Sequence, residues 1–264
     1  MHLNGKVVLI TGASEGIGAA CATVFALRGA QLSLVARKFQ GTSAGGLITS
    51  GDLTDPAVRA AVVERTVERY GRIDVLVNNA GVGLYEPAHV AELMTARRMF
   101  ELNFFAALDM IQLVSPYMKK ARSGTIVNVS SIAGKVTLPW FTLYSASKSA
   151  LCALTDGIRT ELSRDGIHAM SVCPGYVQTG FQQHVLEGRP PELMGRLRAW
   201  AITAEECAEA LVRGVERGAR TVVTPRSGWL LIGLARLVPS LVEKQLANIY
   251  FKDHVHPTEA RTGP

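Results

Sequence analysis

Charged residues are scarce in this 264-residue chain: they make up 19%, against 48% hydrophobic. That balance excludes a disordered chain and leaves ample material for a sizeable core. Long basic runs are also missing, although the formal net charge is +6. The densest basic clusters are Arg196/Arg198, Arg213/Arg217/Arg220 and Lys119/Lys120/Arg122, all short. None carries interleaved aromatics, and no nucleic-acid module signature appears, so no nucleic-acid partner is expected. A basic surface with a site for an anionic cofactor accounts for the charge more simply.

Cysteine is rare. Cys21, Cys152, Cys173 and Cys207 are widely spaced, with no CxxC and no zinc-like His/Cys spacing. They read as small buried apolar residues of a reducing compartment, and no metal site is expected. His254 and His256 are better explained by a solvated tail than by chelation. No signal-peptide pattern precedes the first strand, and no apolar run reaches membrane-span length. A cytoplasmic location is the expectation.

What is present is alternation. Short apolar, β-branched runs fall at 7–10, 31–35, 47–49, 73–77, 125–129, 167–173 and 221–223. Helical stripes fall between them, at 16–27, 55–70, 95–118, 143–162 and 205–215. Asp55-Pro56 is a start signal for the second, and Thr203 a capping candidate for the last. Alternating strands and helices predict one α/β domain, with a doubly wound, mostly parallel sheet of about seven strands covered on both faces. The catalytic domain is expected over 1–225, with a lid at about 176–200. Residues 226–264 form an apolar helical tail of the same domain, broken near Pro239. The connection 37–46 is too short for the usual crossover helix and holds Gly41, Gly45 and Gly46, so a bare loop is expected.

Between the first strand and first helix lies Thr11-Gly12-Ala13-Ser14-Glu15-Gly16-Ile17-Gly18. Gly12 permits a tight turn, Gly16 lets backbone approach a pyrophosphate, and Gly18 allows close helix–strand packing. The helix N-terminus then offers N–H groups and a positive dipole.

Tyr144 and Lys148 stand four residues apart, hence on one helical face. A nearby ammonium favours phenolate, so the Tyr144 pKa is expected to fall, suiting it to acid/base work. Ser131 ends a strand at the carboxyl edge of the sheet, where its hydroxyl can meet a substrate oxygen. Ser130 is its rival on spacing alone. Asn78-Asn79-Ala80-Gly81 follows another strand at the same edge. Asn103 interrupts the apolar stripe of a long helix, so it either ties down backbone or holds water.

These elements, in this order, resemble the short-chain dehydrogenase/reductase family from Lys6 to about Val223. The match comprises Thr11 to Gly18, Asp52, Asn78 to Gly81, Asn103, Ser131, Tyr144 to Lys148, and Pro174-Gly175 with Thr179. The resemblance implies Tyr144 as proton donor and acceptor, Lys148 on the nicotinamide ribose, Ser131 orienting the carbonyl, and Asn103 holding a relay water. It implies cofactor contacts from Gly12, Ser14, Gly16, Ile17, Gly18, Arg37, Asp52, Asn79, Gly81, Tyr144, Lys148, Pro174, Gly175 and Thr179. Among these, Asp52 meets the adenine, Asn79 the adenosine side and Thr179 the carboxamide. A homodimer or homotetramer through the long helices is also implied.

Where an acidic residue would bind the 2′-hydroxyl of NAD, this chain has Ala36-Arg37-Lys38. Arg37 suits a 2′-phosphate, favouring NADP(H), with NAD(H) possible. Glu15 argues the other way if its carboxylate points inward. Val136, Leu138, Trp140 and Phe141, with Tyr176, Phe181, Val185, Leu193 and Trp200 from the lid, suggest an apolar pocket for a hydrophobic carbonyl or alcohol. The apolar tail from 227 to 251 is expected by default to pack locally, the other readings being a cover over that pocket, a subunit contact or a peripheral membrane contact. Competing readings are an inactive dinucleotide-binding sensor and an epimerase or dehydratase with bound nicotinamide.

Overall fold

The computed structural model describes residues 1–39, 45–188 and 201–253. The chain begins with β1 (Val7–Thr11), α1 (Gly16–Leu27), β2 (Gln31–Ala36), β3 (Leu47–Ser50), α2 (Pro56–Tyr70) and β4 (Val75–Asn78). Then come α3 (Leu93–Phe100), a π-helical segment (Glu101–Phe105), α4 (Ala106–Ala121), β5 (Gly124–Val129), α5 (Thr142–Glu161) and β6 (Ile167–Pro174). A small pair, β7 (Val177–Gln178) and β8 (Ile202–Thr203), precedes α6 (Ala204–Arg217) and β9 (Thr221–Thr224). Two helices follow, α7 (Gly228–Leu237) and α8 (Pro239–Asp253).

Seven strands pair in parallel in the order β3-β2-β1-β4-β5-β6-β9. Every residue of β1, β4 and β5 is buried, as expected of strands covered on both faces. Cys21, Val24 and Phe25 of α1 meet Leu211, Val212 and Val215 of α6 on one face. Val62 of α2, Met110 and Val114 of α4 and Ile158 of α5 fill the other. β1 lies between β2 and β4, so successive crossovers leave it in opposite directions. A crevice therefore opens at the carboxyl ends of these strands.

Local signals explain the helix ends. The Asp55 side chain accepts from Ala57 N–H at 2.8 Å, with Pro56 at the first helical position. Thr203 and Glu206 close a reciprocal capping box on α6.

Three features depart from the sequence reading or extend it. The single long helix expected over 95–118 is two helices joined through a π turn that contains Asn103. The lid carries the β7–β8 ladder, although Leu193 and Trp200 lie outside the described residues. The crossover from β2 to β3 spans only 37–46, and residues 37–39 and 45–46 are not helical; 40–44 lie outside the described residues. His254 and His256 also lie outside them. Among the described residues no group of His, Cys, Asp and Glu is placed to hold a metal ion.

Candidate active site

A cleft of about 910 Å³ runs along the carboxyl edge of the sheet. Every candidate site residue lines it except Gly18 and Asn103, which lie behind its wall.

At the glycine loop, Gly12 and Gly16 adopt φ of +65° and +54°. A Cβ on Gly18 would sit 2.1 Å from the Gly12 carbonyl oxygen, so only glycine lets α1 approach β1 here. No side chain caps α1, which leaves its first-turn amides facing the cleft. Asn79 secures the loop from behind. Its Nδ2 donates to the carbonyls of Thr11 and Gly12, both at 3.0 Å. Thr11 Oγ1 in turn accepts from the backbone N–H groups of Asn79 and Ala80.

Helix α5 presents Tyr144 and Lys148 one turn apart, both buried. Lys148 Nζ lies 5.7 Å from the Tyr144 ring centroid and donates to the Val129 carbonyl at 2.9 Å. Burial lowers the Lys148 pKa to about 8. The Tyr144 phenol shifts upward, contrary to the expected fall. Burial is the main cause and Tyr85 adds to it, while a hydrogen bond with Ser131 pulls the other way. Desolvation of the phenolate therefore sets the direction, and the hydrogen bond with Ser131 only partly offsets it. Phe141 stacks on Tyr144 with centroids 4.1 Å apart, Tyr85 stacks on Phe141 at 4.4 Å, and Phe181 meets Tyr144 edge-on at 5.7 Å.

The two serines differ in their hydrogen-bond partners. Ser130 Oγ donates to the Lys148 carbonyl at 2.8 Å, tying β5 to α5. Ser131 hydrogen-bonds Tyr144 and accepts from Ala133 N–H at 3.1 Å. Asn103 ties down backbone: its Oδ1 accepts from Val82 N–H, and its Nδ2 donates to the Val82 carbonyl and to Ser147 Oγ.

The far end of the cleft is basic. Arg37, Lys38 and Arg98 line it beside Asp52. The Asp52 carboxyl is held low by the Thr54 backbone N–H first, and by Arg37 and Arg98. Arg98 carried no signal in the sequence, because only the packing of α3 brings it here. Glu15 does not turn toward this end. Its carboxylate pairs with His184 at 2.5 Å and lies beside Gly180.

The near end is apolar. Leu138, Phe141, Tyr176 and Phe181 line it, joined by Tyr85, which the sequence had not singled out. Val136 and Trp140 are core instead: Val136 packs with Cys152, Cys173 and Val223, and Trp140 stacks on Tyr250 at 6.2 Å. Val185 packs with the cluster around Tyr144 without lining the cleft.

A parallel sheet with this strand order, a glycine cradle at its switch point and a buried Tyr–Lys pair beside it defines a dinucleotide-dependent oxidoreductase. Residues 6–190 match the short chain dehydrogenase family. The chain belongs to the short-chain dehydrogenase/reductase family of NAD(P)-dependent enzymes. It is 32% identical over 262 residues to the ketoacyl reductase HetN of Nostoc, covering 92% of this chain and 88% of that one. A short chain dehydrogenase from Burkholderia cenocepacia, solved with NADP, superposes with a TM-score of 0.79 at 27% identity, covering 93% of this chain and 99% of that one. A relative from Burkholderia phymatum, solved with NAD, has the same fold: TM-score 0.80, 23% identity, 93% and 96% covered.

Proposed function

We propose that this chain moves hydride between NADP(H) and a hydrophobic ketone, aldehyde or secondary alcohol. The observation that carries this is one cleft with two unlike ends: Arg37 and Arg98 at one, and Tyr144 with Ser131 among aromatic side chains at the other.

The residues present fit the cofactor. Backbone at Gly12, Ser14, Gly16 and Ile17, with the uncapped start of α1, suits a pyrophosphate. Gly18 and Asn79 hold that loop in shape. Arg37 and Arg98 suit a 2′-phosphate, with Glu15 drawn away by His184. Asp52 suits the adenine. Gly81 has room for no side chain, since a Cβ there would meet Asn103 Oδ1 at 3.0 Å and Lys148 Nζ at 3.3 Å. Pro174, Gly175 and Thr179 suit the nicotinamide amide. When bound, the nicotinamide supplies or accepts the hydride.

In reduction, Tyr144 donates its phenolic proton to the carbonyl oxygen while Ser131 orients that oxygen. In oxidation, Tyr144 takes the proton back. Lys148 places its ammonium beside the phenol, helping to stabilise phenolate as it forms. Asn103 acts from behind the wall by fixing the Val82 backbone. The shape of the near end favours lipid-like or aromatic carbonyls over sugars and small acids.

The enzyme is further proposed to work in the cytoplasm as a homodimer or homotetramer. Phe105, exposed at the end of the π-helical segment, and Tyr117, exposed on α4, fit such an interface. Sedimentation of the native chain tests the assembly.

A spectrophotometric panel of hydrophobic ketones and aldehydes, run with NADPH and NADH, tests the activity. Net consumption of NADPH, with a higher kcat/KM than with NADH, is the expected result. Turnover without net cofactor consumption would point to epimerisation or dehydration, and binding without turnover to a sensor. A preference for NADH would overturn the cofactor assignment.

A further inference from the structure

Helix α7 carries an apolar face that nothing in the described fold covers. Trp229, Leu230, Leu231, Leu234 and Leu237 are all exposed, with Leu230 at 70% and Leu237 at 82%. At about 100° per residue, Leu230, Leu234 and Leu237 fall within one narrow arc. Ile232, on the opposite side, is buried and anchors the helix against Val223, Cys173 and Val136. Leu230 and Leu237 therefore contribute little to holding the domain together. Exposed contiguous apolar surface of this kind marks an interaction site.

The charge around the face selects its occupant. Arg226, two residues before α7, and Arg236 in its last turn are exposed, and α8 exposes Lys244 and Glu243. In a two-fold pairing of this face with itself, cations would flank cations across the seam, which costs affinity. Residues 254–264 offer only Val255 and Ala260 as aliphatic side chains, too few to cover this face. An amphipathic helix with leucine and tryptophan on one face and arginine at its margins matches the boundary layer of an anionic bilayer. No helix among the described residues is long and apolar enough to cross a membrane, so the contact would lie on the surface.

We propose that α7 is a peripheral docking surface for anionic lipid membranes, with its leucines entering the acyl boundary and Arg226 and Arg236 meeting headgroups. Helix α8 links this face to the site. Its Tyr250 and Ile249 pack against the aromatic cluster around Tyr144. Docking through α7 would bring the apolar end of the cleft near the membrane, where hydrophobic carbonyls partition.

The test uses the full chain and vesicles of phosphatidylcholine with and without phosphatidylserine. Neither cofactor nor substrate is needed, so its outcome is separate from the reductase reading. Co-sedimentation with phosphatidylserine vesicles, weakened by salt, is expected. A blue shift in tryptophan emission should accompany it and vanish in Trp229→Phe. Combining Leu230→Ser, Leu234→Ser and Leu237→Ser should reduce partitioning by about tenfold or more, with melting unchanged. Combining Arg226→Glu with Arg236→Glu should remove the preference for phosphatidylserine. Absence of sedimentation with anionic vesicles, or equal binding by the triple serine variant, would overturn the proposal. So would a dimer of the native chain that the triple variant dissociates, because the face would then belong to a second copy.

Discussion

Asn103 grips the backbone of Val82 at two points, accepting from its N–H at 2.9 Å and donating to its carbonyl at 3.0 Å. The π turn places Asn103 there, and the segment it holds follows the Asn78–Gly81 edge of the cleft. Extra turns of this kind recur at functional sites because they aim one side chain off the regular helical face. Asn103→Ala strands both Val82 groups and should cost about 2–4 kcal/mol of stability. Urea denaturation reads that loss. Asn103→Asp keeps the acceptor for Val82 N–H but sets a buried carboxylate oxygen against the Val82 carbonyl, so it should destabilise at least as much as Ala at neutral pH.

Tyr144→Phe removes the acid/base hydroxyl and leaves the aromatic stack with Phe141 intact. Turnover should fall by about a thousandfold, the usual scale of general acid–base catalysis. Cofactor affinity, read by fluorescence titration, should stay close to wild type. Retention of turnover would remove Tyr144 from the chemistry.

Lys148 offers a pH signature. Its folded pKa is lowered from 10.5 to about 8, chiefly by burial. Below about pH 8 the folded protein carries a buried ammonium, and the destabilising effect is fully present. Between pH 8 and 10.5 the folded state loses this proton while the unfolded state keeps it, so stability rises with pH. Lys148→Met should therefore be inactive yet more stable at pH 7, by up to about 3 kcal/mol before loss of the bond to Val129 is deducted. The stability gap between the two proteins should narrow as pH rises through that window. A gap that stays constant with pH would show that Lys148 is not desolvated.

Arg37→Glu should lower kcat/KM with NADPH by about tenfold to a hundredfold, the loss expected for one charge-assisted contact. NADH should be affected far less. Steady-state kinetics with both cofactors decides it. Equal losses would place Arg37 away from any 2′-phosphate.

Gly18→Ala introduces a Cβ 2.1 Å from the Gly12 oxygen, and backbone must move to accept it. Destabilisation of about 1–3 kcal/mol is expected, together with loss of cofactor binding. Thermal melting with and without NADPH measures both: the variant should melt lower and gain nothing from the cofactor.

Much of the site was legible because its signals are local. The glycine spacing, the four-residue offset of Tyr144 and Lys148, and the Asp55 and Thr203 caps each depend on residues within one or two turns of each other. Helix and strand geometry alone then decides which side chains share a face. The alternation of apolar runs likewise pointed to a parallel sheet, since strands covered on both faces must be apolar throughout.

Contacts between distant segments decided the rest. Ser130 and Ser131 differ in their surroundings only in the fold, where the Lys148 carbonyl, eighteen residues along the chain, accepts from the Ser130 hydroxyl. Arg98 joins Arg37 only because α3 packs across the cleft mouth, and Glu15 turns aside only because His184 lies within reach. Cys152 and Cys173, twenty-one residues apart in the chain, approach to 3.9 Å for the same reason. The upward shift of Tyr144 is the clearest case. Sequence showed an ammonium one turn away, but burial, which only the assembled fold sets, determined the sign.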